Sequence, residues 1–177
     1  MSADFNQDYF DLFGLPHRFR IDSPALDRAW RAISAEVHPD RHAHAGEADK
    51  RAALMLTTRV NEAYRTLKTP VARARYLLSL QGVDTKEDTN TSMPMDFLMA
   101  QIEWREAIED AQTSRNTAQL EKLGGDLDKE SATMEAELAI ALDDEHNLDS
   151  AAILVRKLRF MEKLGQEIED AIEDALS

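Results

Sequence analysis

The stretch "AEVHPDRHAHAG", residues 35–46, decides how this chain is read. Pro39 disfavours the α conformation at His38, so a helix running up to Val37 stops there. Upstream, "IDSPALDRAWRAISAEV" opens with Ser23 as the expected N-cap and Pro24 at the first helical position. Leu26, Trp30, Ile33 and Val37 then recur on one helix face. Past the loop that ends near Gly46, "EADKRAALMLTTRVNEAYRTLKTP" carries Ala53, Leu56, Val60, Tyr64 and Leu67 on a second apolar face. The loop therefore joins two amphipathic helices that share a core.

Working outward, "DYFDLFGLP" reads as a short helix stopped by Gly14 and Pro16. Pro70 restarts the chain, and "PVARARYLLSLQG" is a fourth helix closed by Gly82. Residues 83–93, beginning "VDTKEDTNTS", are polar and aperiodic and read as a linker. Three further helices are predicted, over about 94–112, 116–145 and 148–176. The first sets Phe97, Gln101, Trp104, Ile108 and Ala111 within about 40° of one another. The second places Leu120, Leu123, Leu127, Met134, Leu138 and Leu142 on a stripe. Gly124-Gly125 interrupts that stripe at about 2 kcal/mol relative to Ala-Ala, and the sequence leaves open whether it kinks or splits the helix. The third carries Leu154, Leu158, Met161, Ile168, Ile172 and Ala175 near a heptad seam. The expected fold is all-α, with four helices over 1–82 and an antiparallel three-helix bundle over 94–177.

The 177 residues include no cysteine, which excludes disulfides and thiolate metal sites held by this chain alone. No apolar run reaches the roughly 20 residues of a membrane span. The start, "MSADFNQDYF", has neither the apolar core of a secretory signal nor the arginines of a transit peptide. A soluble, cytoplasmic protein is expected. Of the net charge of −13, residues 1–82 contribute +2 (12 basic, 10 acidic) and residues 83–177 contribute −15 (9 basic, 24 acidic). That asymmetry points to two regions with different partners. Phosphates would repel the acidic half, so nucleic acid is not expected there.

His38, His42 and His44 with Asp40 have the ligand chemistry for zinc or nickel. They lack a helical i,i+4 pair, however, and on composition alone a solvated inter-helix loop is the simpler reading. There is no Gly-rich nucleophile elbow and no phosphate-cradling loop. No catalytic residue, resident metal or cofactor is expected.

The short helix "YFDLFGLP", the tripeptide His38-Pro39-Asp40 and "NEAYRTLKTPVARARYLL" together resemble the J-domain family over residues 8 to about 81. Many J-domains have Lys after the tripeptide; here Arg41 keeps the charge. With "DFLMAQIEWREAIED" (96–110) and "VRKLRFMEKL" (155–164), the chain as a whole resembles the iron–sulfur cluster co-chaperone HscB family. The resemblance implies a J-domain that docks on a DnaK-type chaperone, HscA-like, and speeds its ATP hydrolysis through the tripeptide. It implies a C-terminal domain that binds an IscU-like cluster scaffold, and no catalysis by the chain itself. Eukaryotic relatives carry a cysteine-bearing N-terminal extension, so the bacterial form is favoured. The alternatives are a J-domain co-chaperone with another client and a metal-binding protein using the histidine loop.

The residues support two docking surfaces. Arg28 and Arg31 fall opposite the core face of their helix, with Arg41 just past its end; beside His38, Pro39 and Asp40 they make a cationic strip suited to an acidic partner surface. In the helix over 94–112, Leu98, Ile102 and Met99 lie at about 100°, 140° and 200° from Phe97, where a surface helix should be polar. Glu103, Arg105 and Glu106 flank them as a charged rim. Phe160 lies about 120° off the seam of the last helix, where it either packs at the bundle edge or extends the contact patch; the family resemblance assigns it to the scaffold-binding patch.

Overall fold

A computed structural model describes residues 6–87 and 92–177. All regular elements among the described residues are helical. They are α1 (Tyr9–Leu12), α2 (Ser23–Val37), α3 (Glu47–Lys68), α4 (Pro70–Leu80), α5 (Met95–Thr113), α6 (Thr117–Ala139) and α7 (Leu148–Leu176). A 3₁₀ turn, Pro39–His42, lies between α2 and α3, and a π-helical turn, Ile140–Asp144, follows α6. The chain divides into two compact units, 1–77 and 78–177, and the division falls within α4.

In the first unit α2 packs along α3, and α1 closes one end. Phe10, Leu26, Val60, Ala63 and Leu67 are fully buried at the centre. Trp30 and Tyr64, from the two expected faces, stack with ring centroids 4.4 Å apart. The Trp30 indole N–H donates to Asn61 Oδ1 at 3.0 Å, so its one polar atom is satisfied. Across the same pair of helices, Tyr64 Oη (2.7 Å) and Lys68 Nζ (2.8 Å) both donate to Asp27 Oδ1. Tyr9 stacks on Tyr76 at 4.4 Å, tying α1 to α4.

The start of α2 corrects the sequence reading. Its cap is Asp22, whose Oδ1 accepts from the Ala25 N–H at 3.1 Å, and Ser23 is already helical. Both residues are good caps, and a carboxylate also complements the helix dipole. Gly14 and Gly82 do terminate helices, at φ +64° and +75°. At each, the following N–H reaches back five residues, Leu15 to the Phe10 carbonyl and Val83 to that of Leu78, both at 2.9 Å.

In the second unit α5, α6 and α7 all contact one another. The core includes Phe97, Ile108, Leu120, Leu138, Val155, Leu158, Leu164 and Ile168. The helix carrying Gly124-Gly125 is not split there, and its irregularity comes later, at the π-helical turn. Three local expectations change. Ala141, three residues after buried Leu138, is buried, and Leu142 only partly so. On α7 the seam passes through Leu164 and Ala171, leaving Ile172 and Ala175 partly exposed. Trp104 is also only partly buried, and Phe97, Ile108 and Ala111 form the inner edge of α5. An indole is too large to disappear against a bundle edge that alanine and isoleucine fill.

The segment read as the start of a linker is packed where it is described. Thr85 is 2% exposed, and Arg156 Nη1 donates to its carbonyl at 3.2 Å. Its hydroxyl donates to Glu87. Residues 88–91 of the expected linker lie outside the described residues.

Candidate functional site

The tripeptide begins where α2 ends. His38 sits at φ −57° and ψ 132°, the extended conformation that a following proline imposes. The chain then makes one 3₁₀ turn, with Arg41 N–H donating to the His38 carbonyl at 3.0 Å. His38 Nδ1 accepts from the Asp40 N–H at 3.2 Å and lies 3.6 Å from Asp40 Oδ2. The Asp40 side chain is nonetheless 93% exposed.

This exposed turn has a rigid base. The Thr57 hydroxyl, on α3, lies 3.1 Å from the Val37 carbonyl and 2.9 Å from the Ala53 carbonyl, so its single proton is shared between the two. The hydroxyl thus satisfies a carbonyl at the end of α2 and fixes the residue just before His38. Sequence reasoning missed Thr57. No local pattern pointed to it, because the contact joins residues 20 positions apart.

Arg28 and Arg31 are exposed on α2, and Arg41 is exposed on the 3₁₀ turn. The first unit therefore presents cations and one projecting carboxylate on neighbouring stretches of chain. Leu54 and Met55, at the start of α3, are also exposed and were not singled out from the sequence. Both turn away from Ala53 on a helical wheel, which is the pattern that would have flagged them.

The histidine loop is not assembled as a metal centre. Among the described residues, the ligand atoms that gather within 4.8 Å of one another belong to Asp8, Asp11 and His17, and not to His38, His42, His44 or Asp40. In that trio, His17 Nε2 lies 2.6 Å from Asp8 Oδ2. Asp8 also caps α1 by accepting from the Asp11 N–H at 2.9 Å. The three side chains have a structural role at the helix start.

The second surface lies on α5. Met99 and Ile102 are each 58% exposed, while Leu98 is half-buried. Glu103, Arg105 and Glu106 are exposed around them. Met95, at the first turn of α5, is more exposed still, and 95, 99 and 102 form a single stripe at steps of four and three. The sequence reading missed Met95 because it lies at the helix start, where the pattern has no preceding turn. Phe160 meets Phe97 edge to face, with centroids 5.9 Å apart and planes at 82°. The Arg105 guanidinium lies over the Phe160 ring, 5.3 Å from its centroid, and pairs with Glu167 at 3.8 Å. Phe160 is thus half core and half surface, and the structure joins it to the α5 rim.

Neither surface contains a nucleophile held by a base. Both have what docking needs: exposed groups on rigid supports, cationic in one unit and apolar with a charged rim in the other. No helix among the described residues is long and apolar enough to cross a membrane.

A family model described as the HSCB C-terminal oligomerisation domain matches residues 93–169. The co-chaperone protein HscB homolog of Chromobacterium violaceum is 62% identical over 176 residues, 99% of each chain. The homolog of that name from an Azoarcus species is 51% identical over 173 residues, 98% of each chain. Chaperone HscB from Vibrio cholerae has a similar solved structure, with TM-score 0.83 and 36% identity over 97% of this chain and 100% of that one. Human co-chaperone HscB matches with TM-score 0.88 and 25% identity, over 96% of this chain and 84% of that one.

Proposed function

The chain belongs to the HscB family of co-chaperones, and on that premise we propose that it couples an iron–sulfur scaffold protein to the ATPase cycle of a DnaK-type chaperone. The J-domain over residues 1–82 docks on an HscA-like chaperone through His38, Pro39 and Asp40, with Arg28, Arg31 and Arg41 steering the approach. The domain over 94–177 holds an IscU-like scaffold on Leu98, Met99, Ile102 and Phe160, rimmed by Glu103, Arg105 and Glu106. The chain supplies no catalytic group; the chaperone hydrolyses the ATP. Carrying the client and the stimulating motif on one chain raises the client's effective concentration at the chaperone.

The observation that supports this reading best is the setting of Asp40. Its carboxylate is free to meet a partner cation, while the backbone before it is pinned to α3 by Thr57. An exposed charge on a fixed base loses little freedom on docking, and an Arg partner would bind it in a bidentate pair.

The test is the steady-state ATPase rate of an HscA-like chaperone, measured alone, with the chain, and with the chain plus an IscU-like scaffold. The expected result is stimulation by the chain and a further rise when the scaffold is present. Absence of stimulation by the full chain would overturn the chaperone role. Stimulation with no effect and no binding of the scaffold would leave a J-domain co-chaperone with another client.

A further inference from the structure

Beside the apolar stripe of α5, the second unit has a cleft of about 180 Å³. Leu98 and Gln101 line it from α5, and Arg156, Arg159, Phe160 and Lys163 line it from α7. Residues 156, 159, 160 and 163 fall at helical steps of three, one and three, so α7 turns one continuous face toward the cleft. Three cations therefore meet in a half of the chain whose net charge is −15.

Among the described residues these cations are poorly neutralised. Lys163 has no ion-pair partner among the described residues. Arg159 Nη1 contacts Glu162 of its own helix at 3.2 Å, a pair in which both side chains are about two-fifths exposed. Such a pair competes weakly with a better-placed carboxylate. Arg156 gives one N–H to the Thr85 carbonyl, and its Nε is buried without a partner. The Glu87 carboxylate also lines the cleft, and it accepts from the Thr85 hydroxyl. Among the described residues, the lining side chains thus carry three positive charges against one negative. Their apolar wall, Leu98 and Phe160, adjoins the exposed Met99 and Ile102.

We infer that this cleft seats an acidic side chain of the scaffold partner, carried on a segment whose neighbouring apolar residue packs on Leu98 and Phe160. The inference rests on the client reading given above and adds to it a charge-specific anchor. A carboxylate entering between Arg159 and Lys163 gains charge-assisted hydrogen bonds, with the Gln101 amide as a further donor. The surrounding acidic surface would repel a uniformly acidic protein, so the cleft selects one carboxylate flanked by apolar groups.

The experiment is titration of the full chain with the scaffold protein at low and high salt, using Arg159→Glu with Lys163→Glu. Charge reversal is expected to weaken binding at least about tenfold at low salt, with the loss shrinking toward about threefold near 0.5 M salt. Met99→Ala with Ile102→Ala should weaken binding with little change in salt dependence. The neutral pair Arg159→Gln and Lys163→Gln carries the same test, with a smaller loss, if the reversed pair fails to fold. Unchanged affinity in a folded variant overturns the anchor while leaving the client reading in place. Failure of the unaltered chain to bind the scaffold overturns both. Competition by millimolar sodium phosphate at constant ionic strength would reassign the cleft to a small anion. Self-association of the unaltered chain that charge reversal abolishes would reassign it to a second copy. Either reassignment overturns the proposal.

Discussion

Phe97 and Phe160 meet edge to face across α5 and α7, centroids 5.9 Å apart, and this contact separates what folds the second unit from what it displays. Phe97 is 7% exposed, whereas Phe160 keeps part of its ring at the surface under Arg105. Truncating Phe97 to Ala should cost about 3–5 kcal/mol by thermal or denaturant melting, the usual loss for a buried aromatic. Trp104→Ala should cost less, because its ring is only partly buried. A larger loss at Trp104 than at Phe97 would reverse this assignment.

Met99→Ala with Ile102→Ala should change stability by less than about 1 kcal/mol, since exposed apolar groups gain little on folding. It should weaken scaffold binding by about 1–2 kcal/mol for each side chain. Melting and calorimetry on the same protein read both effects. Loss of the fold would place the stripe in the core and send the search for the client surface elsewhere.

His38→Gln and Asp40→Asn should each abolish ATPase stimulation while scaffold affinity and helical content stay unchanged. Both side chains are largely exposed, and surface changes of this kind usually fall within about 0.5 kcal/mol. Full stimulation by either variant would remove the tripeptide from the docking site.

Thr57→Val tests the support behind the tripeptide. Valine keeps the shape but leaves the Val37 carbonyl without its 3.1 Å donor. Stability should fall by about 1 kcal/mol. Stimulation should fall further than chaperone binding, because the motif is displaced and not removed. Activity equal to the unaltered chain would show that α2 holds the turn unaided.

Asp27 gives the first unit a pH signature. Hydrogen bonds from Lys68 and then Tyr64 hold its carboxyl below the ordinary carboxylate value, and the same bonds to Asp27 raise both Lys68 and Tyr64. A depressed acid stabilises the fold above its unfolded value of about 4 and loses that contribution as pH falls through the folded value. The raised Tyr64 and Lys68 contribute below their unfolded values of about 10 and lose it as pH rises through the folded ones. Asp27→Asn should therefore lower stability near neutrality and flatten its slope at both edges. Melting curves from acid to alkaline pH check this, and an unaltered acid slope would count against it.

The sequence by itself determined the helices and the order in which they run. Apolar residues at helical spacing can be satisfied only by burying one face, so the Leu26–Val37 and Ala53–Leu67 faces were legible before any coordinates. The family was legible too, because His38-Pro39-Asp40 lies between those faces and the stretches over 96–110 and 155–164 accompany it. So was the exposure of Met99 and Ile102, which follows from their angles to Phe97. The cap of α2 was ambiguous by one residue, since Asp22 and Ser23 can both accept from an early helical N–H.

Only the tertiary structure decided what depends on the packing of distant elements. Nothing local marks Thr57 as the residue that holds Val37, because that bond joins positions 20 residues apart. The partial burial of Trp104 follows from how much of α5 its neighbours cover. The course of the α7 seam depends on the same packing, as does the packing of Thr85 in a stretch that reads as linker. The cations of α7 look like a solvated helix face in one dimension. They become a cleft when α5 sets Leu98 and Gln101 opposite them, because periodicity fixes the face a residue occupies and packing fixes what that face meets.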